Sequence, residues 1–130
     1  MVSESRPENE LSAQIIGAAI EVHRLLGPGL LESIYDEAMA VELIARGLHV
    51  NRQVEVPIRY KEALLGTALR LDLLVNELIV VEIKAVEHLL KVHEAQLLSY
   101  LRLSDKRLGL LINFNSQVLT QSVKRIVNGL

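Results

Sequence analysis

Three ionisable residues stand among aliphatic neighbours in the middle of this 130-residue chain. Asp72 lies within Leu71-Asp-Leu-Leu-Val75, and Glu82 and Lys84 lie within Ile79-Val-Val-Glu-Ile-Lys84. Two carboxylates held close repel each other, and a divalent cation relieves that repulsion. A lysine two residues beyond the glutamate shares its face of a strand, where it can hold a water or stabilise charge developing on a phosphate. Metal-dependent phosphodiester chemistry is what this triplet could carry. The competing reading is an internal salt bridge of Asp72 or Glu82 with Arg70 or Lys84.

The elements that must position these groups are two strands, about Thr67 to Val75 and Leu78 to Ala85. Leu69, Leu71, Leu73 and Val75 form one odd-numbered apolar face, and Ile79, Val81, Ile83 and Ala85 form the other. If both odd faces enter the core, the even faces collect Arg70, Asp72, Glu82 and Lys84 on one surface. A regular two-residue hairpin at Asn76-Glu77 would oppose Asp72 to Val81 and separate the carboxylates. The connection is therefore expected to hold an odd number of residues or a β-bulge. A loop centred on Asn76 would oppose Arg70 to Glu82; one centred on Glu77, which sets Asp72 opposite Glu82, is favoured because it brings the carboxylates closest.

Around this pair the chain reads as two helices, three strands, a helix and one or two further strands. The first helix covers Asn9 to Leu26, with Leu11, Ile15, Ala18, Val22 and Leu25 at helical spacing, and Gly27-Pro28-Gly29 stops it. The second covers Leu31 to Arg46, burying Leu31, Ile34, Ala38, Val41 and Ala45, with Gly47 as its end. Val54, Val56, Ile58 and Tyr60 alternate with polar residues in a strand that Pro57 confines to an edge or a bulge. A turn over Lys61 to Gly66 follows. The third helix covers Val92 to Leu103, and Leu108 to Phe114 is a continuous run apolar but for Asn113, as in a strand covered on both faces. Gln117 to Val127 is read as a last strand. The class is α/β (α+β), a mixed sheet flanked by helices, in one domain over 11–130 behind a polar tail, 1–10.

Composition narrows the partners. The net charge is −2, without the basic surplus of proteins that coat duplex DNA, so any nucleic-acid contact must be local. With no cysteine, thiolate metal sites are excluded, and a reducing cytoplasm suits the chain. No apolar stretch is long enough to span a membrane. His23, His49, His88 and His93 lack zinc-site spacing, and there is no Gly-rich phosphate loop, nucleophile elbow or aromatic base-stacking platform.

Taken in order, the motifs resemble a known group. The strand pair with Asp72, Glu82 and Lys84 resembles the core of the PD-(D/E)XK nuclease superfamily, with Leu71-Asp72 in place of Pro-Asp. Gln96-Leu-Leu-Ser-Tyr100 resembles the Gln-x-x-x-Tyr motif of its RecB-type branch. Gly29-Leu-Leu-Glu32-Ser-Ile-Tyr35 is similar to the signature of the GxxExxY family of small bacterial and archaeal proteins. Other matches are Ile20-Glu-Val-His23, His93-Glu-Ala-Gln96 and Gly109-Leu-Leu-Ile-Asn-Phe114, so the likeness spans about residues 11 to 127.

The resemblance implies a restriction-endonuclease-like αβββαβ core behind an extra N-terminal helix. It implies that Asp72, Glu82 and the Ile83 carbonyl bind Mg²⁺ or Mn²⁺, that Lys84 orients a water, and that DNA is the substrate. Glu32 is then the helix-borne acid, and Gln96 orients Lys84 or a phosphate. Tyr100, His93, Arg70, Tyr35 and His23 stand as substrate-binding or supporting residues; for Tyr35 ordinary packing is the competing reading, and for His23 a helix cap. A catalytically silent binding or assembly module, with a homodimer as one form, is the alternative function.

Overall fold

The structure, a computed structural model, describes residues 7–130. The polar segment read as a tail lies outside the described residues as far as residue 6, and from Pro7 it is helical. Pro7 opens α1 (Pro7–Leu26), where its missing N–H costs nothing. Leu11, Ile15, Ala18 and Val22 are buried at the expected spacing, but Leu25 is 65% exposed. Gly27 ends the helix in the left-handed conformation, φ 70°, and its N–H returns to the His23 carbonyl at 2.8 Å.

Helix α2 (Glu32–Ala45) carries two apolar stripes, and the sheet takes the one that periodicity did not single out. Tyr35, Met39 and Leu43 are fully buried, whereas Leu31, Ile34, Val41 and Ala45 face outward and Ala38 is half-buried. The reason lies in Tyr35. Its ring stacks on Phe114 at 4.7 Å, and its hydroxyl donates to the Gly27 carbonyl at 2.5 Å and accepts from the Leu30 N–H at 3.1 Å. A buried phenol with both hydrogen-bonding roles filled fixes which side of the helix turns inward.

Strands β1 (Val50–Val56), β4 (Leu69–Val75), β5 (Ile79–Lys84), β6 (Leu108–Asn113) and β7 (Val123–Val127) form one mixed sheet in the order β1-β4-β5-β6-β7. Only β5 and β6 run parallel, with α3 (Lys91–Ser104) between them in sequence. Pro57 ends β1 at the sheet edge, and Arg59–Tyr60 (β2) and Ala63–Leu64 (β3) make a separate small hairpin. The last segment holds a 3-10 turn (Leu119–Ser122) before its strand.

Both faces of the sheet are covered. Helices α1 and α2 pack on Leu73, Val75, Ile79, Val81, Ile83, Leu108, Leu110 and Ile112. Leu97 and Leu101 of α3 pack on Leu71, Leu74, Val80 and Leu111. Leu71 is thus on the α3 face while Leu73 is on the other, so the expected alternation slips at Asp72. The slip is matched in β1, where Val50 joins the first core, and Val54 and Val56 join the second. Gln53, between them, has φ 52°. A left-handed residue turns the strand over, and the ladder omits the Gln53–Asp72 pair although Arg52↔Leu73 and Val54↔Leu71 keep one register.

The candidate active site

Asp72 and Glu82 meet where β4 and β5 part. The ladder pairs Val75↔Ile79, Leu74↔Val80 and Leu73↔Val81, then stops. The connection is accordingly the three residues 76–78, with Asn76 at φ 52° and Glu77 at φ 58°. Continuing that register sets Asp72 opposite Glu82, where side chains replace the ladder bonds. The Asp72 N–H donates to Glu82 Oε2 at 2.8 Å, and the Ile83 N–H donates to Asp72 Oδ2 at 2.8 Å. Asp72 Oδ1 and Glu82 Oε1 take no part in these bonds.

Among the described residues no direct ion pair neutralises these carboxylates, and Lys84 acts on them only through its field. None of the ion pairs found among the described residues involves Asp72, Glu82 or Lys84, and Arg70 is bound instead to Glu55 across β1 at 3.0 Å. Glu82 is 6% exposed. Burial first, then the Asp72 charge, pushes its carboxyl up to about 8, against the lowering effects of the Asp72 N–H and Lys84. Asp72 is also raised, by burial first and by the charges of Asp36 and Glu32, while the Ile83 N–H and Lys84 pull it down. Lys84 is half-buried at the end of β5. Buried Asn113 pins the chain just beyond it, accepting from the Val86 N–H at 3.0 Å and donating to the Val86 carbonyl at 2.8 Å.

The donor chemistry fits a hard divalent ion. Two carboxylates with uncommitted oxygens, beside the Ile83 backbone, suit Mg²⁺ or Mn²⁺, which use one or two carboxylates and retain water. Among the described residues no three His, Asp or Glu side chains are grouped so as to hold a metal by themselves, so backbone or water must complete any such shell.

Asp72 lines a cleft of about 390 Å³ with Glu32, Ser33 and Asp36 of α2 and Arg52 and Gln53 of β1. Glu32 is exposed there, and its charge raises both carboxyls. From the opposite face of the sheet Tyr100 feels Glu82 and Asp72; its phenol is raised by burial and then by those charges, and is lowered by a hydrogen bond with Gln96. Gln96 lines a shallow groove along α3 with His93, whose Nδ1 accepts the Leu90 N–H at 2.9 Å as a helix cap.

Three expected residues stand away from the carboxylate pair. Tyr35 is committed to the turn at Gly27 and to Phe114. His23 Nε2 bonds the Ser116 carbonyl at 2.7 Å, in a groove lined by 117–120. Arg70 is spent on Glu55 at the surface. Asp36, Arg52 and Gln53 were missed. Asp36 is four residues after Glu32 and could have been read from that spacing, had the inner stripe of α2 been identified.

No curated protein and no solved structure matches the chain. A family model described as the PD-(D/E)XK nuclease superfamily matches residues 9–126, spanning both helical layers and all of the sheet but the last residue of β7. Nucleases of this superfamily typically use divalent metals. Residues 9–126 contain the parted strands, the paired carboxylates and the lysine, and the chain belongs to the PD-(D/E)XK nuclease superfamily.

Proposed function

We propose that the protein is an Mg²⁺- or Mn²⁺-dependent nuclease that hydrolyses phosphodiester bonds in DNA, of the GxxExxY kind, working in the cytoplasm. The observation that carries this reading is the interlocked pair Asp72–Glu82, a half-buried and a buried carboxylate without a direct ion pair among the described residues, both with raised carboxyl pKa values. Keeping such a pair costs stability unless a divalent ion occupies it.

Asp72, Glu82 and the Ile83 carbonyl would hold the ion. When bound, it would polarise a phosphate oxygen and lower the pKa of a water. Lys84 orients the attacking water and offers positive charge to the developing phosphorane oxygens. Glu32, at the cleft mouth, binds water on the metal side. Gln96 and Tyr100 support the site from α3.

The test is cleavage of labelled DNA with Mn²⁺. Glu82→Gln and Asp72→Asn should abolish turnover, and Lys84→Ala should lower it roughly 100-fold or more. Full activity in Lys84→Ala would remove the role given to that residue.

One observation favours the second reading, a silent assembly module. The outward residues Leu31, Ile34, Val41 and Ala45, with half-buried Ala38 at their margin, follow the three-four spacing of a helix seam, and Leu31 and Val41 are 71% and 65% exposed. A homodimer in solution with no metal response and no cleavage would select it.

A further inference from the structure

Gln53 holds a left-handed conformation, φ 52°, within an edge strand. For a residue other than glycine that conformation is strained, and nothing in the ladder requires it, since the register is the same on both sides. Its consequence is local. It turns β1 over opposite Asp72 and leaves Arg52 and Gln53 lining the cleft with Asp72.

Arg52 is held there by Asp36. Its Nε and Nη2 both donate to Asp36 Oδ1, at 3.2 and 3.0 Å, and its Nη1 joins neither bond. The Asp36 side chain is 8% exposed and that of Arg52 is 45% exposed. The carboxylate is therefore the fixed, buried anchor, and the guanidinium is a tethered head facing the opening. Gln53 Nε2 lies 3.5 Å from the other Asp36 oxygen. Among the residues lining the cleft, Glu32, Asp36 and Asp72 are acidic and Arg52 is the one cation. A phosphodiester entering beside Asp72 meets a negative wall, relieved at one point by a planar donor fork suited to phosphate oxygens.

We infer that Arg52 binds a phosphate oxygen of the nucleic-acid strand entering the cleft, with Asp36 as the positioning residue that aims it. The inference rests on the nuclease reading and names the cleft residue that recognises the substrate backbone. It also accounts for a chain without a basic surplus, because the contact is made by one aimed guanidinium and not by a charged surface.

The experiment compares Asp36→Asn with the double variant Asp36→Asn/Arg52→Gln, so that neither strands a buried charge. Binding to fluorescein-labelled duplex DNA, single-stranded DNA and RNA is followed by anisotropy in Ca²⁺ over a salt series. Losing one phosphate contact should reduce the slope of log K against log salt by about 0.9 for a duplex or about 0.7 for a single strand. The double variant should show that reduction, whereas Asp36→Asn, which keeps the charge but frees the guanidinium, should weaken binding several-fold with the slope kept. Wild-type affinity in Asp36→Asn would overturn the positioning role of Asp36. Both should keep the wild-type Mn²⁺-induced melting shift, since neither residue is assigned to the metal. Equal slopes in the two variants would overturn the role of Arg52 and leave the nuclease reading standing. A wild-type protein that binds none of the three probes contradicts the nuclease reading itself, and the inference with it.

Discussion

Glu82 is the residue on which the site's electrostatics turn. Its carboxyl is raised from 4.5 to about 8, by burial and then by Asp72. Between those pH values the folded chain keeps a proton that the unfolded chain has released, so stability falls as pH rises through that window. Asp72, also raised, acts in the same direction. Glu82→Gln keeps an oxygen to accept the Asp72 N–H and removes the charge. Without metal, the variant should match the wild type near pH 5 and exceed it by on the order of a few kcal/mol above pH 8. Urea unfolding at the two pH values measures this. A variant less stable than wild type above pH 8 would mean that Glu82 is compensated in the native state.

At the scale of elements, the site exists because two strands stop behaving as strands. Strand β4 parts from β5 after Leu73↔Val81, and β1 turns over at Gln53. Gln53→Gly should therefore be neutral or stabilising, whereas Gln53→Val, β-branched and forced into positive φ, should cost about 1–2 kcal/mol or more. Thermal melts of both variants check it, and equal melting temperatures would mean that the turnover of β1 carries no strain.

The same element separates what was legible in the sequence from what was not. Alternation in 69–75 and 79–85 called for an odd connection or a bulge, and bringing the carboxylates closest favoured a loop centred on Glu77, which the pairing Val75↔Ile79 bears out. The run 108–114, apolar but for Asn113, announced a strand covered on both faces, and Leu108–Asn113 is buried throughout. The turnover at Gln53 left no such mark, because glutamine gives no warning of a left-handed backbone, and Leu71 was assigned to the wrong core in consequence. Helix α2 misled for another reason. Both of its faces are apolar, and only the pairing of Tyr35 with Phe114 and the Gly27 turn decides between them. Reading the outer face as the inner one hid Asp36, and with it Arg52.

For the whole molecule, the central claim is that a chain of net charge −2 spends its stability on a preformed acidic site. Among the described residues no helix is long and apolar enough to cross a membrane. The acidic site predicts a specific exchange, in which a divalent ion displaces the proton that burial keeps on Glu82 and restores the stability the pair costs. Saturation at about 100 times Kd adds about 2.7 kcal/mol, enough to move the melting temperature by several degrees in a domain of this size. The direct measurement is the melting temperature of wild type, Asp72→Asn and Glu82→Gln near pH 8, with and without millimolar Mn²⁺. A rise of several degrees in the wild type, absent from both variants, is the result predicted. A wild-type curve unmoved by Mn²⁺, or an equal rise in all three proteins, would contradict the metal site at Asp72 and Glu82.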